Sequence, residues 1–575
     1  FDILDSLDQT ANPCDDFYQF ACGGWRNQRT VPEGSWYTSA HSEIANDLNL
    51  KLKVLLEKEL AGNEPNFIRI LKEMYDSCMD VERIENESSK PLEKVLKNLG
   101  GWPVVEGEKW NSCAFDWIDT VIQLRNMGYK YNTLIDVDVV GLRNRNTYII
   151  KLNEPSLGIG RLNLMRGTID LSTNQYLKLM VKTANKLGAN ESTSERELSE
   201  ALEFERKLAN IDWLDFFSRL LNQEINENDP LLIMAPKFIN NFANFLKEAD
   251  TKAMANYMMW RVVFESLPLL SKEWRNLAVE QGFLTSESKE EPRSKKCSIS
   301  FTDDTLEVPL NSYFVRHYFK DESKEAVREL VEYIHRELLN TIENITWMDQ
   351  IAKIYIKEKP NSMTYNIGYP KELLNDSYIS DTYANLVLDR DYFNNTLKLR
   401  KLKTDYTFSQ LRKPIPKNDW VERVNVADVN AAYSKSKNKI VLPSGLLQFP
   451  LFSKAQPQYL NFGALGYYIG HEITHAFDYG VQQLDYTGKN GDWSKDIFQN
   501  KLLCLKEQYS NYVAENGKKI DGFNADFVTD NLADNGGLRL AYQAYQSWVI
   551  NHGREKNLPG LPFTPNQLSW ISAAK

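Results

Sequence analysis

His471 and His475 lie four residues apart with Glu472 directly after the first, an H-E-x-x-H run inside Gly470-His471-Glu472-Ile473-Thr474-His475. Residues four apart on a helix share one face, so the two imidazoles can present themselves to one metal ion. Glu472 then stands beside that ion, where a carboxylate can take a proton from a metal-activated water. The same spacing also suits an ordinary helix face. Two features point to chemistry. The segment upstream, Phe462 to Ile469, is apolar and rich in small residues, so three polar groups at its end are costly unless something satisfies them. With only six histidines in the chain, there is little material for a diffuse surface cluster.

A catalytic zinc site needs a third protein ligand and an open position. The candidate lies 55 residues beyond His475, in Thr529-Asp530-Asn531-Leu532-Ala533-Asp534-Asn535-Gly536-Gly537. Asp530 and Asp534 fall on one helical face. Asp530 can supply a carboxylate oxygen to the metal, while Asp534 accepts the second ring N–H of a ligand histidine. The pair also fits the solvated first turn of a helix, where the dipole favours acidic residues.

These residues must be held by a large scaffold. A chain of 575 residues exceeds what one core usually holds, so at least two lobes are expected. Apolar residues at 42% and charged residues at 25% describe a globular protein. The net charge of −10 argues against a nucleic-acid binder; short basic clusters such as Lys398 to Lys403 read as solvated helix faces. No apolar run reaches the ~18 residues of a membrane span, and no signal segment opens the chain. Its start on Phe1 reads as a fragment or a mature form. Helical spacing dominates, as in Ile44, Leu48, Leu52 and Leu55. Thr133–Val140 and Thr147–Leu152 read as a hairpin, Ser286–Ser300 as a charged loop, and Leu411–Pro416 as a linker. Past the linker, Asn430–Tyr433 and Lys439–Pro443 read as a short strand pair leading to the H-E-x-x-H helix.

The cysteines, Cys14, Cys22, Cys78, Cys113, Cys297 and Cys504, contain no C-x-x-C pair, so a cysteine zinc site is not expected. Five N-x-S/T sequons, at Asn86, Asn190, Asn344, Asn375 and Asn394, lean towards an extracellular or secreted protein.

With these motifs in order, the chain resembles the neprilysin and endothelin-converting-enzyme family of zinc metallopeptidases. The resemblance runs over nearly the whole length: Asn12-Pro13-Cys14 through Ala21-Cys22-Gly23-Gly24-Trp25, Asn256–Arg261, Trp347-Met348-Asp349, Asn430-Ala431, Val441–Pro450, the H-E-x-x-H helix and Ala533-Asp534-Asn535-Gly536-Gly537. It implies a mainly α-helical, two-lobed ectodomain around a central cavity. Residues 1–40 would pack on the catalytic lobe, 41–410 would form a helical cap, and 411–575 a thermolysin-like catalytic lobe. It implies one zinc ion on His471 and His475, Glu472 as general base, Asp534 orienting His471, and Asn430 and Ala431 holding a short peptide as an added strand. Cleavage would fall before hydrophobic residues of extracellular peptides. The membrane would be met only through an N-terminal anchor absent from this sequence.

Three departures accompany the resemblance, with a smaller one at Ala432. The family's third ligand is Glu, and Asp530 stands there, shorter by one methylene or roughly 1.5 Å. The family's chains continue past the match to Leu568–Ser572 with a His for the oxyanion and an Arg for the substrate, so the catalytic lobe is expected to be incomplete at Lys575. Cys78 would pair with Cys297, while the partners of Cys14, Cys22 and Cys504 would lie in that continuation; Cys113 matches nothing. At Ala432 the family usually has an aromatic. The alternative to a peptidase is therefore an inactive relative that binds peptides or partners outside the cell.

Overall fold

The computed structural model describes the chain except residues 1–2, 32–36, 143–144, 208–230, 235–248, 285–291, 300–304, 349, 416–424, 436, 478–494, 511–524 and 575. It is mainly helical, as expected, and divides into two compact units. One comprises Leu56–Leu310 and Asp376–Asp419; the other comprises Phe1–Leu55, Asn311–Asn375 and Trp420–Lys575. The chain thus leaves and re-enters each unit. Residues 311–375, assigned to the cap by sequence, pack with the H-E-x-x-H helix.

The unit from Leu56 contains the expected hairpin. Strand β1 (Asp136–Leu142) runs antiparallel to β2 (Thr147–Asn153), with Val139 opposite Ile150. Val137 and Val139 point into the core by strand alternation. Strand β3 (Leu231–Ile233) adds parallel to β2. The helix Thr251–Ser266 is buried on most of its surface, with Tyr257, Met258, Trp260 and Val263 inaccessible. Its buried Asn256 and Arg261 both have polar partners. Asn256 accepts the Val104 backbone N–H on Oδ1 (2.9 Å) and the Trp102 indole N–H on its carbonyl (3.2 Å). Arg261 donates to the Tyr257 hydroxyl and lies 3.7 Å from the buried Glu205 carboxylate.

Two expectations are corrected in this unit. Within the expected loop Ser286–Ser300, residues Arg293–Ile299 form a helix. Pro292 stands just before it, its carbonyl accepting the N–H groups of Lys295 and Lys296; proline has no N–H of its own to leave unsatisfied at a helix start. Cys297 on that helix is bonded to Cys78, as the resemblance implied, with Cα atoms 6.0 Å apart across 219 residues. The expected linker is also not free. Lys413 accepts the Tyr148 N–H (3.1 Å), and Arg412 N–H donates to the Tyr148 carbonyl (3.0 Å), so residues 411–415 are stitched to the start of β2.

The other unit holds a second three-stranded sheet in the order β4–β6–β5. Strand β4 (Thr364–Gly368) is parallel to β6 (Lys439–Pro443), and β5 (Ala432–Ser434) is antiparallel to β6 with Tyr433 opposite Ile440. The expected strand pair is thus present, and β5 lies at the sheet edge. Beside it runs the H-E-x-x-H helix, Gln458–Thr474, continued by a tighter turn, His475–Phe477. Pro457 precedes the helix without a capping side chain; the Glu555 carboxylate instead accepts the N–H groups of Gln458 (2.8 Å) and Tyr459 (3.1 Å). At the other end the Lys359 ammonium donates to the Ala476 carbonyl (2.6 Å), the charge that a helix C-terminus favours.

Candidate metal centre

The site depends on how closely two helices approach. Gly470 on Gln458–Thr474 faces Gly537 on Ala525–His552: a Cβ on Gly470 would lie 2.7 Å from the Gly537 carbonyl oxygen, and one on Gly537 2.6 Å from the His471 nitrogen. Neither position admits a side chain, so the two backbones touch. That contact brings the aspartates of one helix to the histidines of the other.

The Nε2 atoms of His471 and His475 are 3.0 Å apart. Asp530 Oδ1 lies 3.4 Å from His475 Nε2, and one donor atom from each of the three residues lies within 4.8 Å of the others. A tetrahedral ion with bonds of ~2.0–2.1 Å holds its ligands roughly 3.3 Å apart, so this donor set fits zinc. Asp530, one methylene shorter than the glutamate of the family, has its Oδ1 within this donor set, on a helix whose backbone touches that of the histidine helix at the two glycines. Asp530 is largely exposed and the histidines half-buried.

Asp534 Oδ1 lies 2.8 Å from His471 Nδ1. Burial opposes charge on His471, but the Asp534 hydrogen bond and the nearby Glu472, Asp534 and Asp530 carboxylates outweigh it and hold the imidazole above its ordinary pKa. Burial likewise pushes Asp534 up, and the hydrogen bonds from His471 and Tyr467 more than offset it, keeping the carboxyl below its usual range. Asp534 as a carboxylate accepts the Nδ1–H of His471, which directs Nε2 of that ring to the donor set.

Glu472 is only 8% exposed. Burial raises its pKa against the pull of His471 and His475, and its carboxylate accepts the backbone N–H of Tyr433. Glu472 is thereby fixed to β5. Ala431, buried, and Asn430, exposed, immediately precede that strand. All the residues selected from sequence as ligands, base, orienter and strand holders therefore fall in one unit, around one helix end.

Three contributors escaped the sequence reading. Tyr467 donates to the Asp534 oxygen that also faces His471; its position one turn before His471 was a usable signal. Glu555 and Lys359, which cap the two ends of the helix, are distant in sequence and carry no pattern of their own.

The chain matches two models described as peptidase family M13, one over residues 13–213 and 210–370 and the other over 430–575. It is 33% identical to Neprilysin-2 of Drosophila melanogaster, over 100% of this chain and 80% of that protein. Identity is 31% to membrane metallo-endopeptidase-like 1 of Mus musculus, with 100% and 81% covered, and 30% to endothelin-converting enzyme 1 of Bos taurus, with 100% and 80% covered. The fold is similar to that of the zinc metalloprotease Zmp1 of Mycobacterium tuberculosis, solved with an inhibitor, at a TM-score of 0.78 and 20% identity, covering 100% of this chain and 90% of that one.

Proposed function

Since this chain belongs to peptidase family M13, the neprilysin-like zinc metallopeptidases, we propose that it is an endopeptidase for short extracellular peptides, cut before hydrophobic residues. In this reading His471, His475 and Asp530 hold one zinc ion and Glu472 is the general base. The observation that carries it is the convergence of three ligand atoms within 4.8 Å beside a buried glutamate.

Bound zinc supplies Lewis acidity, lowering the pKa of a coordinated water to ~7. The chain's own residues do the rest. Asp534 fixes the His471 tautomer. Glu472, raised in pKa and held by the Tyr433 N–H, takes the proton of the attacking water and returns it to the leaving amine. The edge strand β5 and the preceding Asn430 and Ala431 offer backbone groups to an extended peptide, so that main-chain hydrogen bonds position the scissile bond and side-chain pockets select the sequence. We assign the catalytic role to the unit that carries this helix.

An extracellular setting is supported by the Cys78–Cys297 disulfide. The five sequon asparagines, Asn86, Asn190, Asn344, Asn375 and Asn394, are all exposed, as glycosylation requires. Among the described residues no helix is long and apolar enough to cross a membrane.

The test is cleavage of a short internally quenched peptide with an apolar residue after the scissile bond. Turnover that a chelator abolishes and added zinc restores is the expected result. A zinc-loaded chain that binds such peptides without cutting them would establish the non-catalytic alternative.

A further inference from the structure

Tyr468 precedes His471, Glu472 and His475 by three, four and seven residues, so all four share one face of the helix Gln458–Thr474 and its continuation. Tyr468 therefore stands one turn before the metal ligands on their own side. Its ring packs edge-on against His41, at the start of the helix Ala40–Glu57, with centroids 5.0 Å apart and the Tyr468 hydroxyl 3.4 Å from His41 Nδ1. The Asp534 carboxylate, which hydrogen-bonds His471, is close enough for its charge to act on Tyr468. The third member of the cluster is Asp428. Its charge acts on His41, and it is exposed two residues before Asn430.

Asp428 is held in place by its neighbours. The Val426 carbonyl accepts the Gly445 N–H (2.8 Å) and the Ser444 hydroxyl (2.9 Å). A Cβ on Gly445 would lie 2.4 Å from the Asp428 carbonyl oxygen, so residues 426–428 are pressed onto the turn after β6. The cluster carries one charge. Burial lowers the His41 pKa and pushes Tyr468 up to about 12, so the imidazole and the phenol are uncharged at neutral pH. Asp428 has no compensating lysine or arginine among the described residues: burial raises its pKa, and the groups that oppose the rise are the Val429 N–H and His41. One uncompensated carboxylate beside two flat neutral rings favours a cation carried on an apolar stem. The net charge of −10 draws cationic ligands to the chain as a whole.

Resting on the peptidase reading above, we propose that Asp428, His41 and Tyr468 form a subsite for a lysine or arginine side chain of the substrate, close to the scissile bond. The ammonium or guanidinium group meets the Asp428 carboxylate, and the aliphatic stem lies along the rings of His41 and Tyr468. The substrates selected in this way are short basic peptides. All three residues belong to the unit that carries the H-E-x-x-H helix, and none of them takes part in the proton transfers assigned to Glu472.

The test is equilibrium binding to the zinc-loaded Glu472→Gln protein, so that no peptide is consumed. Fluorescein-tagged heptapeptides of alanine and leucine carry lysine, or its uncharged analogue norleucine, at each position in turn, and anisotropy reads their affinities. At one position lysine should bind about tenfold tighter than norleucine. Adding Asp428→Asn should bring that ratio close to one, and Asp428→Lys should transfer the preference to glutamate. A ratio near one at every position, or a lysine preference that survives Asp428→Asn, would overturn the subsite and leave the peptidase reading standing. Failure of the zinc-loaded protein to bind any of the peptides would overturn both.

Discussion

Tyr467 and His471, one helical turn apart, share a single acceptor: both hydrogen-bond Oδ1 of Asp534. The tyrosine draws on the same oxygen that sets the imidazole's orientation, so its hydroxyl tempers how strongly Asp534 holds the proton on His471. Asp534→Ala should cost roughly 10–100-fold in zinc affinity, the usual effect of losing such a partner. Tyr467→Phe should cost less and should also act in a different way. With Asp534 undivided, His471 keeps a proton more tightly, so the pH at half-maximal zinc loading should move upward. Zinc competition titrations across pH measure both; an unchanged pH profile in Tyr467→Phe would remove the tyrosine from the account.

Asp530 offers a separate test of the ligand set. Its Oδ1 already lies 3.4 Å from His475 Nε2, so no helix movement is needed for it to bind. Asp530→Ala should lower zinc affinity by more than the 10–100-fold lost with an outer partner, whereas Asp530→Glu should keep zinc bound. Equal zinc content in Asp530→Ala and the parent protein, measured after dialysis against a weak chelator, would exclude Asp530 as a ligand.

Two histidines away from the metal make stability depend on pH. Burial lowers the pKa of His335, and burial also lowers that of His41 despite the opposing Asp428 charge. Below the unfolded value of ~6.5 the unfolded chain takes up protons that the folded one resists, so stability is full above that pH and falls as pH drops through it. His41→Phe with His335→Phe should flatten the dependence. Melting of zinc-free protein between about pH 7.5 and about pH 5.5 reads it, and a slope unaltered by the double variant would place the acid sensitivity elsewhere.

The H-E-x-x-H helix was legible because its pattern is local: two histidines at i and i+4, a glutamate between them, and an apolar stretch behind. The hairpin and the β5–β6 pair were legible for the same reason, since alternation and a short turn carry the information. Asp530's reach was not. It depends on the distance between two helices, and that distance is set by Gly470 against Gly537, which no spacing rule measures. Glu555 and Lys359 were invisible as caps because each acts from a separate part of the chain. The division into units was equally hidden, since residues 311–375 join the unit of the H-E-x-x-H helix through packing rather than sequence proximity. In Arg293–Ile299 the charged composition suggested a loop, but a proline start and the Cys78–Cys297 bond are associated with a helix there.

The central claim is that Glu472 acts as the base beside a metal it does not bind. The measurement is turnover of a quenched peptide by Glu472→Gln, with the zinc content of the same sample determined. The account predicts zinc retained and turnover reduced by roughly 10²–10⁴-fold, the contribution of a positioned base. Turnover near the parent rate, with zinc bound, would contradict it.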